Sequence, residues 1–231
     1  MSSILKRSVE NKNIEEVNTV SEYLALLSFP REFTMFDNMS NTIRVACLID
    51  LILTQKIYLD TQTENIRIIS KSTEVPFLEE ILNKIPDNKL KPKTLLKYFN
   101  GECYTIKYKN LFIKKLRRKV LINLEEKNFL IKPPPKKGSI LRDCEINIIL
   151  KSKLLLEIQK YLINREENIF FECLIILLEN VGLSKKILIG LKQQQQDAAI
   201  LKIKEVYEKT KRGAGNEKIK SSIYAFLRLI I

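Results

Sequence analysis

Between Lys114 and Lys119 the chain sets five cationic side chains, Lys114, Lys115, Arg117, Arg118 and Lys119, around a single Leu116. Such a cluster suits oxyanions, and arginine can grip a phosphate bidentately. No Asp or Glu falls between residues 103 and 124, although Lys107 and Lys109 add to the charge. Like charges at i, i+3 and i+4 on a helix repel by about 0.2–0.5 kcal/mol per pair, and a bound anion would relieve that repulsion. Ile113, Leu116, Val120 and Leu124 recur at spacings of three, four and four, so the spacing predicts one buried stripe in a basic helical region over 105–129. Lys114, Arg117 and Arg118 are expected beside it on a common exposed face. Three uses remain open for such a helix: a solvated surface, nucleic acid, or anionic lipid.

Other chemistries are poorly served. Histidine is absent, which removes Ser-His and Cys-His nucleophiles and the commonest zinc ligand. Cys47, Cys103, Cys144 and Cys173 are far apart, with no CxxC pair, and each neighbours apolar residues as a small buried hydrophobe would. The six glycines form neither a GxxxxGK loop nor a GxGxxG fingerprint. The carboxylate pairs Glu79-Glu80, Glu125-Glu126 and Glu166-Glu167 are adjacent in sequence, and adjacent helical positions point apart. They read as solvated faces. We therefore expect no catalytic residues, no metal site and no cofactor, and hence no enzyme.

Forty Lys plus Arg against 27 Asp plus Glu leave a formal charge of +13, which favours polyanionic partners. The first residues lack the apolar core of a signal peptide, which suggests a reducing, cytosol-facing location. No apolar run approaches the roughly 20 residues that span a bilayer, so membrane contact is expected to be peripheral.

The expected architecture is a mainly α, single globular domain. It has a central helical bundle, surrounding amphipathic helices and two small β-hairpins. Residues 1–20 read as a flexible polar tail and 21–231 as the helical domain. The stretch 21–29 begins order, and Pro30 breaks it. Residues 31–41 form a loop with Phe33, Met35 and Phe36, after which Asn41 or Thr42 caps a helix that is apolar nearly all round. Arg44, near the start of that helix, is out of place. A hairpin is expected over 56–70, short helices from Pro76 and before Gly101, and a second hairpin around "KPPPKKG". Four further helices complete the chain. "QQQQ" at 193–196 reads as trivial low complexity.

A basic helix over 110–124 followed by a hairpin has the outline of a winged helix, with Lys136 and Lys137 touching phosphates. Against nucleic acid, the helix offers few polar base readers, and Glu125 and Glu126 would face the backbone. For a lipid headgroup, Arg44, Lys114 and Arg117 would supply converging cations, and the Met35-Phe36 loop an apolar lip for the interface.

An ordered series of segments then carries a resemblance. "YLALL", "IRVACLIDLILTQKIYLD", "FLEEILNKI", "KKLRRKVLINLEEKNFL" and "FFECLIILLENVGL" follow one another across residues 21–231. The chain resembles the Golgi phosphoprotein 3 family, whose yeast member is a vacuolar-sorting protein. The resemblance implies a helical domain and no catalysis. It implies binding of phosphatidylinositol 4-phosphate on the cytosolic face of Golgi membranes, in exchange with the cytosol. It also implies retention or sorting of glycosyltransferases through their cytosolic tails, coupling to COPI coats, and no nucleic-acid partner.

By the same resemblance the headgroup pocket falls on Arg44, Lys114 and Arg117, with Lys115, Arg118 and Lys119 as auxiliary basic surface. The family completes its pocket with a Trp; this chain has none, and Phe36 or Met35 stands in that loop. One pocket arginine has become Lys114. Of the family's N-terminal arginine cluster only Lys6 and Arg7 remain, and the hairpin used for self-association in some members is shorter here. Coat binding and homo-oligomerisation are left open.

Overall fold

A computed structural model describes residues 19–29, 38–60, 62–86, 90–102, 106–131, 145–164, 166–213 and 218–231. Helix dominates, as expected. The core is built on α1 (Val20–Ser28), α2 (Met39–Leu53), α7 (Ile169–Asn180) and α10 (Lys218–Leu227). Between α2 and α7 lie α3 (Pro76–Lys84), α4 (Pro92–Phe99), a 3₁₀ turn (Ile106–Leu111), α5 (Leu116–Glu126) and α6 (Ile148–Ile163). The short α8 (Ser184–Ile187) and long α9 (Gln193–Arg212) precede α10. The first hairpin pairs β1 (Ile57–Leu59) with β2 (Ile66–Ile68), Tyr58 opposite Arg67. The second pairs β3 (Leu130–Ile131) with β4 (Glu145–Ile146). No helix among the described residues is long and apolar enough to cross a membrane.

α2 is the hub. It touches α1, α3, α4, α5, α7, α10 and β1, which is why its sequence is apolar nearly all round. Val45 to Ile49, Leu51 and Ile52 are essentially inaccessible, and burying each large aliphatic side chain contributes about 1.5–3 kcal/mol. α1 is equally enclosed, with all nine residues buried. Burial of a helix start demands partners for its free N–H groups. Asp50, on the last turn of α2, supplies two: its carboxylate accepts from Val20 N at 2.7 Å and Ser21 N at 3.1 Å. Thr19 takes Glu22 N, and Glu22 takes Thr19 N, each at 3.2 Å.

Several local expectations change. The basic region is not one helix. The carbonyl of Phe112 accepts from Lys84 Nζ at 2.7 Å and that of Ile113 from Arg44 Nη2 at 3.0 Å. Those carbonyls are bound from outside, Lys115 turns left-handed at φ 54°, and α5 starts only at Leu116. The apolar stripe of Ile113, Leu116, Val120 and Leu124 is buried all the same. α2 starts after Asn38 rather than at Asn41 or Thr42. Thr42 Oγ1 instead accepts from Asn180 Nδ2 at 2.6 Å and ties α2 to α7. The glutamine tract forms the first turn of α9, where Gln195 Oε1 accepts from Lys192 N at 3.1 Å. α8 was not expected.

Candidate functional site

The anomaly at position 44 resolves into a clasp. Arg44 lies on the second turn of α2 and is buried. Its Nη1 donates to the carbonyl of Ser40 at 2.6 Å and to the Ser40 hydroxyl. Its Nε donates to the carbonyl of Phe99, the last residue of α4, at 3.1 Å. Its Nη2 reaches Ile113 O, and Ile113 N in turn donates to Phe99 O at 3.2 Å. One guanidinium thus joins the start of α2, the end of α4 and the peptide immediately before Lys114. Arg44 and Lys114, far apart in sequence, meet at the same turn.

That turn leads into α5. Lys115 caps the helix without a side-chain hydrogen bond, and the first turn contains no acid. It carries Arg117, Arg118 and Lys119 instead. Cations are unfavourable at a helix N-terminus, where the peptide dipoles already present a positive end, while an oxyanion there is stabilised. The backbone N–H groups of Leu116, Arg117 and Arg118 precede the first intrahelical donor, Lys119 N, which bonds Lys115 O at 3.2 Å.

The cations do not share one face. Lys114, Lys115 and Arg118 are exposed, but Arg117 is buried, with Nε and Nη1 shielded from solvent. The expected common exposed face of Lys114, Arg117 and Arg118 therefore loses its middle member. Position 117 falls one residue after Leu116 and three before Val120, on the flank of the buried stripe, so its stem packs inward. Lys119 is ion-paired with Glu80 of α3, so its charge is partly compensated from outside the segment. Met35 and Phe36 lie outside the described residues, as do Lys136 and Lys137 of the nucleic-acid alternative.

Farther along α5 the polar side faces inward. Asn123 Nδ2 and Lys127 Nζ donate to Glu22 Oε1 at 2.6 and 2.8 Å. Glu22 is fully buried. This anchor holds α5 against α1 and so sets the direction of its N-terminus. Sequence reasoning missed Glu22, Lys84 and Glu80. An acid in an apolar stretch, "SEYLALLSF", was the available signal.

Among the described residues no group of three or more His, Cys, Asp or Glu is placed to hold a metal ion. Cys47 and Cys173 are buried and reduced, with thiols pushed well up by burial. Among the described residues, one surface hollow is lined by Pro76, Phe77, Glu80, Lys119, Ile122, Asn123 and Glu126, and another by Glu179, Ile203, Lys204, Tyr207 and Glu208.

A search of curated proteins finds no match. The model of one protein family, Golgi phosphoprotein 3 (GPP34), matches residues 21–221. That span takes in nearly all of α1, the Arg44 clasp, both hairpins, the basic turn before α5 and the first turn of α10, and the chain belongs to the Golgi phosphoprotein 3 family.

Proposed function

We propose that this chain is a peripheral membrane adaptor without catalytic activity, which binds the headgroup of phosphatidylinositol 4-phosphate at the N-terminus of α5. The observation that carries the reading is the electrostatics of that helix start, which has no side-chain cap, no acid in its first turn and four cations from Lys115 to Lys119. A phosphate there accepts from the backbone N–H groups and reverses the sign of an otherwise unfavourable charge arrangement. Exposed Lys114, Lys115 and Arg118 reach the phosphate. Buried Arg117 supports the first turn. Arg44 positions the backbone at Ile113 rather than standing as an exposed ligand, and Lys119 is shared with Glu80. Met35 and Phe36 enter the interface beside the headgroup.

Family membership supports placement at Golgi membranes, and retention of glycosyltransferases through their cytosolic tails is the use we propose for the adaptor. The test is flotation with vesicles containing phosphatidylinositol 4-phosphate or phosphatidylinositol. The exposed pair Lys114→Ala with Arg118→Ala should lose the preference for the 4-phosphate by about tenfold with an unchanged melting temperature. Undiminished preference removes the site. Arg44→Ala with Arg117→Ala probes the same turn but alters two buried side chains.

A further inference from the structure

α6 carries a second feature that the headgroup site does not use. Its inner side buries Leu154, Ile158, Tyr161 and Leu162. Its outer side presents Ile149, Ser152, Lys153, Leu156 and Lys160 to solvent, all within one helical face. Ile149 is 83% and Leu156 55% exposed, and Ile189, in the turn after α8, is 73% exposed. Gln159 fixes that turn against α6, donating from Nε2 to the carbonyls of Ile187 at 2.7 Å and Ile189 at 3.1 Å. Large aliphatic side chains this open, clustered on one face, call for a partner.

Charge identifies the partner. Lys153 and Lys160 lie on the same exposed face of α6, and Lys185, Lys186 and Lys192 are exposed on and after α8, which packs against α6. The single acid of α6, Glu157, sits at the edge and accepts from Tyr23 OH at 3.0 Å. Residues 181–192 contain no acid. Exposed isoleucine and leucine interspersed with lysine match the interface of an anionic bilayer, where the apolar tips enter the acyl boundary and the ammonium groups lie among the headgroups.

Hydrogen bonds anchor α6 and α7 to the core. Lys151 Nζ donates to Phe29 O at 2.8 Å, and its ammonium is weakened by burial and by nearby Lys186. Asn180, four residues before α8, bonds Thr42 of α2, two residues from Arg44. These bonds tie the first turn of α6 to the end of α1, and the end of α7 to the start of α2.

We infer that the exposed face of α6, with Ile149, Leu156 and Ile189 among lysines, is a second, phosphoinositide-independent contact for anionic lipid. It rests on the reading of the protein as a membrane adaptor but not on the headgroup site. The chain contains no Trp, so Ile149→Trp installs a single indole, read apart from the tyrosines by its longer-wavelength excitation, in the full-length protein. With phosphatidylserine vesicles that lack phosphoinositide, its emission should shift to the blue and be quenched by brominated acyl chains. Phosphatidylcholine vesicles should leave it unchanged. Lys153→Glu with Lys160→Glu should lower binding to phosphatidylserine vesicles by tenfold or more yet keep the 4-phosphate preference, whereas Lys114→Ala with Arg118→Ala should do the reverse. Absence of binding to phosphatidylserine vesicles, or binding with unchanged Trp emission, overturns the α6 contact; in the second case the headgroup site still stands. A Trp signal that follows protein concentration without lipid, with a larger sedimentation coefficient, assigns the face to a second copy and overturns the proposal too.

Discussion

Arg44 Nη2 donates to the carbonyl of Ile113 at 3.0 Å across 69 positions of chain. This bond stops the basic segment from continuing as helix at that point. It also spends on the backbone a cation that sequence reasoning assigns to the ligand. The start of α5, where the phosphate is proposed to bind, is thereby positioned by α2 rather than by its own turn.

Removing the clasp should cost stability before it costs binding. Arg44→Ala leaves the carbonyls of Phe99 and Ile113 without this donor in a buried place, a loss of about 3 kcal/mol. In a domain of this size that lowers the melting temperature by about 6–12 °C. Arg44→Lys keeps the charge but cannot reach three carbonyls, so it should recover little. A melting temperature within about 1 °C of wild type for Arg44→Ala would contradict the clasp.

Asp50 should impose a pH dependence. Burial raises its carboxyl from 3.8 to about 7, against the bonds from Ser21 and Val20 that favour the anion. The folded chain then holds the proton more tightly than the unfolded chain. Asp50's contribution is complete below about pH 3.8 and is lost as the pH rises toward 7. Asp50→Asn cannot titrate and loses one acceptor of the α1 cap. Denaturant unfolding from pH 4 to 7.5 should find the variant less stable at the acid end by about 1–3 kcal/mol. The gap should narrow as pH rises. A gap that widens would reverse the sign of the shift.

Glu22 ties α1 to α5, and the two partners should be coupled. Glu22→Ala strands Lys127 and Asn123 and opens the capping box, with an expected loss of about 3–5 kcal/mol. Lys127→Met alone leaves a buried carboxylate. Combined with Glu22→Gln it should cost less than the sum of the two single changes, a coupling measurable in a double-mutant cycle. Strict additivity would deny the contact.

A third buried acid, Glu172, accepts from Lys209 Nζ at 2.9 Å and Tyr224 OH at 2.7 Å. Burial, then the bond to Glu172, pushes the Tyr224 phenol well up, so it stays a donor through the physiological range. Tyr224→Phe keeps the ring but removes that donor. About 1–2 kcal/mol should be lost in urea unfolding, with no change in vesicle binding.

Much of the architecture is local and could be read from the chain. Pro76 and Pro92 open α3 and α4, Gly101 stands just past the end of α4 with φ 83°, and the period of Ile113, Leu116, Val120 and Leu124 marks what is buried. Each rests on backbone geometry or side-chain spacing within a few residues, so neighbours in sequence suffice. The candidate site was legible only in part. Its cations were named, but the exposed face they were to share was not there.

The sequence alone determined a basic, histidine-free helical chain with one dense cluster of cations and the order of segments that marks its family. Tertiary structure decided what each charge does. Arg44 turned to backbone carbonyls, Arg117 went inside, Lys119 found Glu80, and Glu22, Asp50 and Glu172 became buried anchors. The reason is the reach of the interactions: periodicity is set by the next turn of the same helix, whereas a buried charge is set by whichever distant donor or acceptor the fold brings within hydrogen-bonding distance.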